Sequence, residues 1–159
     1  MHKKEAALQQ LLQQKMLPLF YHESAEVSIR ILEALFTAGI RSVEYTNRGD
    51  KALSNFRQLK KAAEANMPGM MIGIGTIKNK EQAMDFIEAE ADYIIYPSMN
   101  KKVAAAAHKA GLLWIPGCMT PTEIASAERA GASIVRVHDV RATVDFLKVW
   151  MAIEGRRKP

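Results

Sequence analysis

The stretch GCMTPTEIASAERAGASIVRV, Gly117–Val137, contains one full turn of a repeating plan. It opens on the end of an apolar run. Thr120-Pro121-Thr122-Glu123 then reads as a capping box with proline at the first helical position. Ala130-Gly131 is a helix stop. Ser133–Val137 follows as a short run without polar alternation, the pattern of a parallel strand buried on both faces.

The same order recurs on the N-terminal side. Short apolar runs lie at Met16–Tyr21, Ser42–Thr46, Met70–Thr76, Tyr93–Pro97 and Leu112–Cys118. Each precedes a helix-length segment, and Ser24, Asn79, Asn100 and Asp139 stand where N-caps belong. Ala38-Gly39 and Ala110-Gly111 repeat the helix stop. With Ser133–Val137, the pattern predicts an α/β fold of six βα units in a parallel sheet. An extra helix precedes them, with Ala7, Leu8, Leu11 and Leu12 on one side. Such units make either a small closed barrel or an open sheet, and the rhythm does not choose between them. The expectation is one domain over residues 1–159.

With 48% hydrophobic and 25% charged residues, the chain has a globular composition. The net charge of +5 is scattered, and its densest cluster, Arg156-Arg157-Lys158, is read as a solvated tail. No aromatics interleave with the basic residues, so nucleic acid is not an expected partner. No apolar run is long enough for a membrane span. The glutamines of the first segment interrupt any signal-peptide core, and the single cysteine, Cys118, cannot form an internal disulfide. A cytoplasmic protein is expected. No His, Cys and carboxylate set has metal-ligand spacing, and no cofactor is expected. Gly73-Ile74-Gly75 lacks the third glycine of a dinucleotide fingerprint and is read as tight packing.

Ligands of such folds sit at the C-terminal ends of the strands. Glu44 is the unusual residue there, because it interrupts an apolar strand and alternates with Thr46 and Arg48. A buried carboxylate needs a partner, and Arg48 and Arg136 are candidates. Glu44 reads equally as a general acid/base beside an anion-binding cation or as half of a structural ion pair.

LPLFYH, VEYTNRGD, GIGT, YPSMN and WIPGCMTPTEIASAERAGA occur in order between about Lys15 and Ala132. Together they resemble the 2-keto-3-deoxy-6-phosphogluconate aldolase family. That resemblance implies a TIM-barrel fold and cleavage of a sugar acid phosphate to pyruvate through a lysine Schiff base. It assigns acid/base work to Glu44, pyruvyl-carboxylate binding to Arg48 and Thr76, and a pocket position to Pro97. The family's lysine falls at Arg136, and its phosphate-binding seventh and eighth strands have no counterpart. GASIVRVHDVRATVDFLKVWMAI, residues 131–153, resembles instead the last βα unit of dihydropteroate synthase, whose arginine and histidine match Arg136 and His138 and bind an anion.

The reading from these two resemblances is an aldolase-like piece, residues 1–132, joined to a synthase-like unit, residues 133–159. The expectation is an engineered chimeric scaffold without native catalysis, self-associating as a homo-oligomer through unpaired sheet edges. The alternatives are a residual lyase acting on 2-keto acids such as pyruvate, or a module binding phosphate or sulfate at Arg136 and His138.

Overall fold

A computed structural model describes residues 3–153 and 155 of the chain. The Arg156-Arg157-Lys158 tail lies outside them. In chain order the elements are α1 (Lys3–Gln14), β1 (Leu19–Phe20), α2 (Ala25–Thr37), β2 (Ser42–Thr46), α3 (Ala52–Asn66) and β3 (Met71–Gly75). They continue with α4 (Lys80–Glu88), β4 (Tyr93–Tyr96), α5 (Lys101–Lys109), β5 (Leu113–Pro116), α6 (Pro121–Arg129) and α7 (Val140–Ile153).

The caps form as their residue types dictate. Ser24, Asn79 and Asn100 each accept a backbone N–H from the first turn of the following helix. At α6 the box is reciprocal: Thr120 Oγ1 accepts from Glu123 N, and Glu123 Oε2 accepts from Thr120 N at 3.0 Å. Asp139 Oδ1 accepts from Ala142 N at 2.9 Å.

All five strands are parallel and lie in chain order. Period two then sorts their residues. Val43, Tyr45, Ile72, Ile74, Ile94 and Trp114 join the core under the helices. Tyr93, Ile95, Leu113 and Ile115 face the other way, where Ala7 and Leu11 of α1 pack on them. The extra helix is therefore the cover of the sheet's inner face. Leu12, expected on the same packed side, is 61% exposed instead. It sits one residue, about 100°, around the helix from Leu11 and looks past the sheet.

The glutamines of α1 bind it to β2. Gln14 Oε1 accepts from Arg41 N at 2.7 Å and Ser42 N at 2.9 Å, and its Nε2 donates to Ser42 O at 2.8 Å. Gln10 Nε2 donates to Arg41 O at 2.6 Å.

The sixth expected strand is the main departure. Ser133–Val137 is reduced to one bridge, Gly117 with Arg136, held by Arg136 N→Pro116 O and Cys118 N→Arg136 O, both 2.8 Å. With a neighbour on one side only, the run has half the ladder of an internal strand. Among the described residues no ladder joins it to β1. Helix α7 has no fully buried residue; Phe146 and Leu147 rest on a small cluster of Cys118, Ile124 and Ala127.

Asp92 closes the floor between α1, α3 and β3. Its Oδ2 accepts from Ile72 N at 2.7 Å and Lys60 Nζ at 2.6 Å, and Lys3 Nζ lies 3.6 Å from Oδ1. Removing the carboxylate strands a buried N–H and a half-buried ammonium. Asp92→Ala is expected to lower the unfolding free energy by about 2–4 kcal/mol, read from urea denaturation.

Candidate active site

Glu44 lies in the middle of β2, opposite Gly73 of β3 in the register. Its side chain crosses to the next glycine of that strand: a Cβ on Gly75 would fall on Glu44 Oε1. A Cβ on Gly73 would fall within the ring of Tyr93. The two glycines thus leave room for a carboxylate above and an aromatic ring below, the tight packing that GIG implied. Tyr93 is buried and its hydroxyl donates to Val43 O at 2.7 Å, which raises a floor beneath Glu44. Burial, reinforced by the Asp92 charge, pushes the Tyr93 phenol far above its ordinary range, so it remains a donor.

Glu44 is 8% exposed. Burial raises its pKa above the ordinary carboxylate value, and the nearby charges of Arg136 and then Arg48 partly offset that. Among the described residues its carboxylate makes no ion pair within 4.0 Å and no side-chain hydrogen bond. The structural ion-pair reading therefore has no bond behind it.

The predicted residues divide between three places. Glu44 and Arg136 line one groove of about 500 Å³ whose walls include Leu17, Leu19, Ile95, Ile115 and Ile134. Arg48 and Thr76 line a separate cavity at the ends of β2 and β3, with Asn47, Asp50, Lys78 and Gln82. The two lie close, because Gly75 carries the Glu44 carboxylate and Thr76 follows it, a rise of about 3.3 Å. Thr76 takes a positive φ of 58°, which turns the chain away at the strand end. Pro97 lines neither cavity; its carbonyl lies against Gly117, where a Cβ would overlap it.

Arg136 and His138, expected to act together on an anion, are parted. His138 lines a third cavity between α6 and α7, with Cys118, Thr120 and Asp139. There Asp139 already accepts from the first turn of α7, and Glu123 occupies the start of α6. Cys118 is buried, and burial pushes its thiol pKa up. Lys15 was not singled out from the sequence, yet it lines the groove with Glu44 and Arg136. It follows α1 with a φ of 63°, its N–H bonded to Leu11 O, a helix end that carries no glycine to mark it. Among the described residues no group of His, Cys, Asp and Glu could hold a metal ion, and no helix is long and apolar enough to cross a membrane.

The family model for KDPG and KHG aldolase matches residues 8–152. The chain belongs to the KDPG and KHG aldolase family. It is 30% identical over 125 residues to a 2-dehydro-3-deoxy-phosphogluconate aldolase of Treponema pallidum, covering 77% of this chain and 56% of that one. The chain spans about half the length of the curated relatives it matches.

Among solved structures, a 4-hydroxy-2-oxoglutarate/2-dehydro-3-deoxyphosphogluconate aldolase has TM-score 0.76 and 27% identity, covering 93% of this chain and 72% of that one. The KDPG aldolase of Legionella pneumophila, solved with pyruvate captured as a covalent carbinolamine, has TM-score 0.69 and 25% identity, covering 87% and 65%. Dihydropteroate synthase of Xanthomonas albilineans has TM-score 0.61 at 12% identity over 86% of this chain and 65% of that one, a likeness of fold.

The expectation of an engineered scaffold without native catalysis is overturned by these matches. The family match spans residues 8–152, on both sides of the join expected between residues 132 and 133, and the matched relatives are aldolases. The alternative expected from the sequence, a lyase, fits them better.

Two outcomes test the site's construction. Gly75→Ala forces the Glu44 carboxylate off β3 and is expected to cost about 1–3 kcal/mol of stability by overpacking. Glu44 has a folded pKa above its unfolded one. Its charge therefore weighs against the fold above about pH 4.3, increasingly as pH rises through the folded pKa. Glu44→Gln removes that charge, so its urea midpoint is expected to exceed the parent's at pH 8 and to converge with it toward pH 4.

Proposed function

We propose that this chain is a lyase acting on 2-keto acids, releasing or taking up pyruvate, with Glu44 as the group that carries the proton. One observation carries the reading: a buried carboxylate with a raised pKa, within reach of the charges of Arg136 and Arg48, stands unbonded in a groove that Arg136 also lines and that is large enough for a small acid. Such a carboxylate can hold a proton nearer neutral pH and hand it over. A 2-keto acid brings a carboxylate for an arginine and an acidic C–H for Glu44.

Arg48 and Thr76 at the rim, and Pro97 beside β5, are assigned the recognition of the carboxylate end or of a longer substrate's tail. The names of the relatives support a phosphorylated 2-keto-3-deoxy acid as that substrate. The pairing of Arg136 with His138 on a phosphate or sulfate is the less favoured assignment, since Asp139 faces the same cavity as His138. Exposed Leu12, Met16 and Leu19 beside the unpaired edge of β1 support self-association.

The test is pyruvate release from 2-keto-3-deoxy-6-phosphogluconate, followed by reduction of the product with lactate dehydrogenase. Turnover above buffer is expected, falling about 10²–10⁴-fold in Glu44→Gln. A melting temperature unmoved by millimolar pyruvate, together with no turnover, would reject the site.

A further inference from the structure

The Legionella relative captured pyruvate as a covalent carbinolamine, which takes an amine, whereas this groove is lined by the Arg136 guanidinium. A guanidinium stays protonated and cannot condense with a carbonyl, whereas it can hold an oxyanion with two parallel N–H bonds. Arg136 is suited to that work. Its backbone is pinned on both sides by the 2.8 Å bonds to Pro116 and Cys118, and its side chain lines the same groove as Glu44. The two groups feel each other's charge without forming an ion pair within 4.0 Å, and both line a groove whose volume of about 500 Å³ exceeds that of a small planar acid. The walls are largely aliphatic, and Arg136 reaches the groove from its exposed side with fixed N–H donors that can hold charge developing during reaction.

We propose that the groove enolises 2-keto acids without a covalent intermediate, Glu44 moving the C3 proton and Arg136 holding the enolate oxygen. The inference rests on the 2-keto-acid reading above and specifies its chemistry. In the step on pyruvate, a Glu44 carboxylate oxygen takes a proton from C3. The C3–H electron pair becomes the C2–C3 double bond, and the carbonyl π pair moves onto the C2 oxygen. That oxygen is left as an enolate against the Arg136 guanidinium. Return of the proton from Glu44 restores pyruvate, and no oxidant, reductant or amine takes part. In a longer substrate the same enolate is the leaving group when the bond beyond C3 breaks.

A rival chemistry is available on the same wall, because Lys15 carries an amine at the groove. The experiment separates the two. Pyruvate is incubated with the whole chain in D₂O and loss of its methyl proton signal is followed by NMR. A parallel sample is treated with borohydride and weighed by intact mass spectrometry.

The proposal expects methyl exchange well above the buffer rate with no adduct on any lysine. Exchange should drop about 10²-fold or more in Glu44→Gln and about 10²–10³-fold in Arg136→Met. Arg136→Lys, which keeps the charge and guards against a folding defect, should gain a borohydride-trapped adduct at position 136. An adduct on Lys15 of the parent chain would overturn the proposal. So would exchange indifferent to Arg136→Met, or an Arg136→Lys chain that binds pyruvate without forming an adduct. If pyruvate raises the melting temperature yet its methyl protons exchange at the buffer rate, the enolisation fails while the 2-keto-acid site stands. If it neither binds nor exchanges, both fall.

Discussion

The packing of α1 on the inner face of the sheet is the contact on which the rest depends. A parallel sheet must be covered on both faces. Helices α2 to α5 cover one side, and the other presents Tyr93, Ile95, Leu113 and Ile115. Ala7 and Leu11 cover them, and small Ala7 lets the helix come close. Two glutamines then tie it to the start of β2 by bonding backbone groups of Arg41 and Ser42. The helix keeps the interior dry below Glu44 and forms a wall of the groove above it.

The site follows from that dryness. Glu44 is charged at a place where charge is disfavoured, and the cations near it are close enough to matter and too far to bond. Its position is fixed sterically: two glycines on β3 give up their side chains to Glu44 and to the ring of Tyr93. Tyr93 is in turn held by Val43 O, on the same strand as Glu44, which closes a loop of contacts across β2, β3 and β4. A carboxylate built in this way keeps one orientation while its proton affinity is tuned by burial. That combination suits proton transfer more than structural support.

The last unit is attached differently. The 133–137 run reaches β5 through a single bridge, and α7 leans on α6 through Phe146, Leu147 and the Trp150 Nε1→Glu128 bond at 3.0 Å. Val140, Val144, Val149 and Ile153 remain exposed on α7. Few buried apolar contacts make such an element the first to open locally. Arg136 is the exception within it, because both of its backbone groups are bonded to the strand beside it. The groove thus has one wall from the rigid sheet and one from the least secured part of the fold.

Much of this was legible in the chain. The cap residues, the helix stops, the five strands and the oddness of Glu44 all rest on local rules: a side chain reaching a nearby N–H, or an apolar run too short for a helix. The family resemblance was legible for the same reason, in contiguous motifs.

Three things depended on distance through space. Ser133–Val137 has the composition of a strand, but an internal strand needs a neighbour on each side, and only the fold shows that this run has β5 alone beside it. The glutamines of α1 looked like breaks in an apolar face and proved to be its fasteners, because the backbone they bond lies some 28 residues away. Glu44, Arg136 and Lys15 come from β2, the β5-bridged run and the end of α1, and no spacing in the sequence ties them together. Residue types and periodicity determined which groups could do chemistry. The closing of one helix over one face of the sheet decided which of them meet.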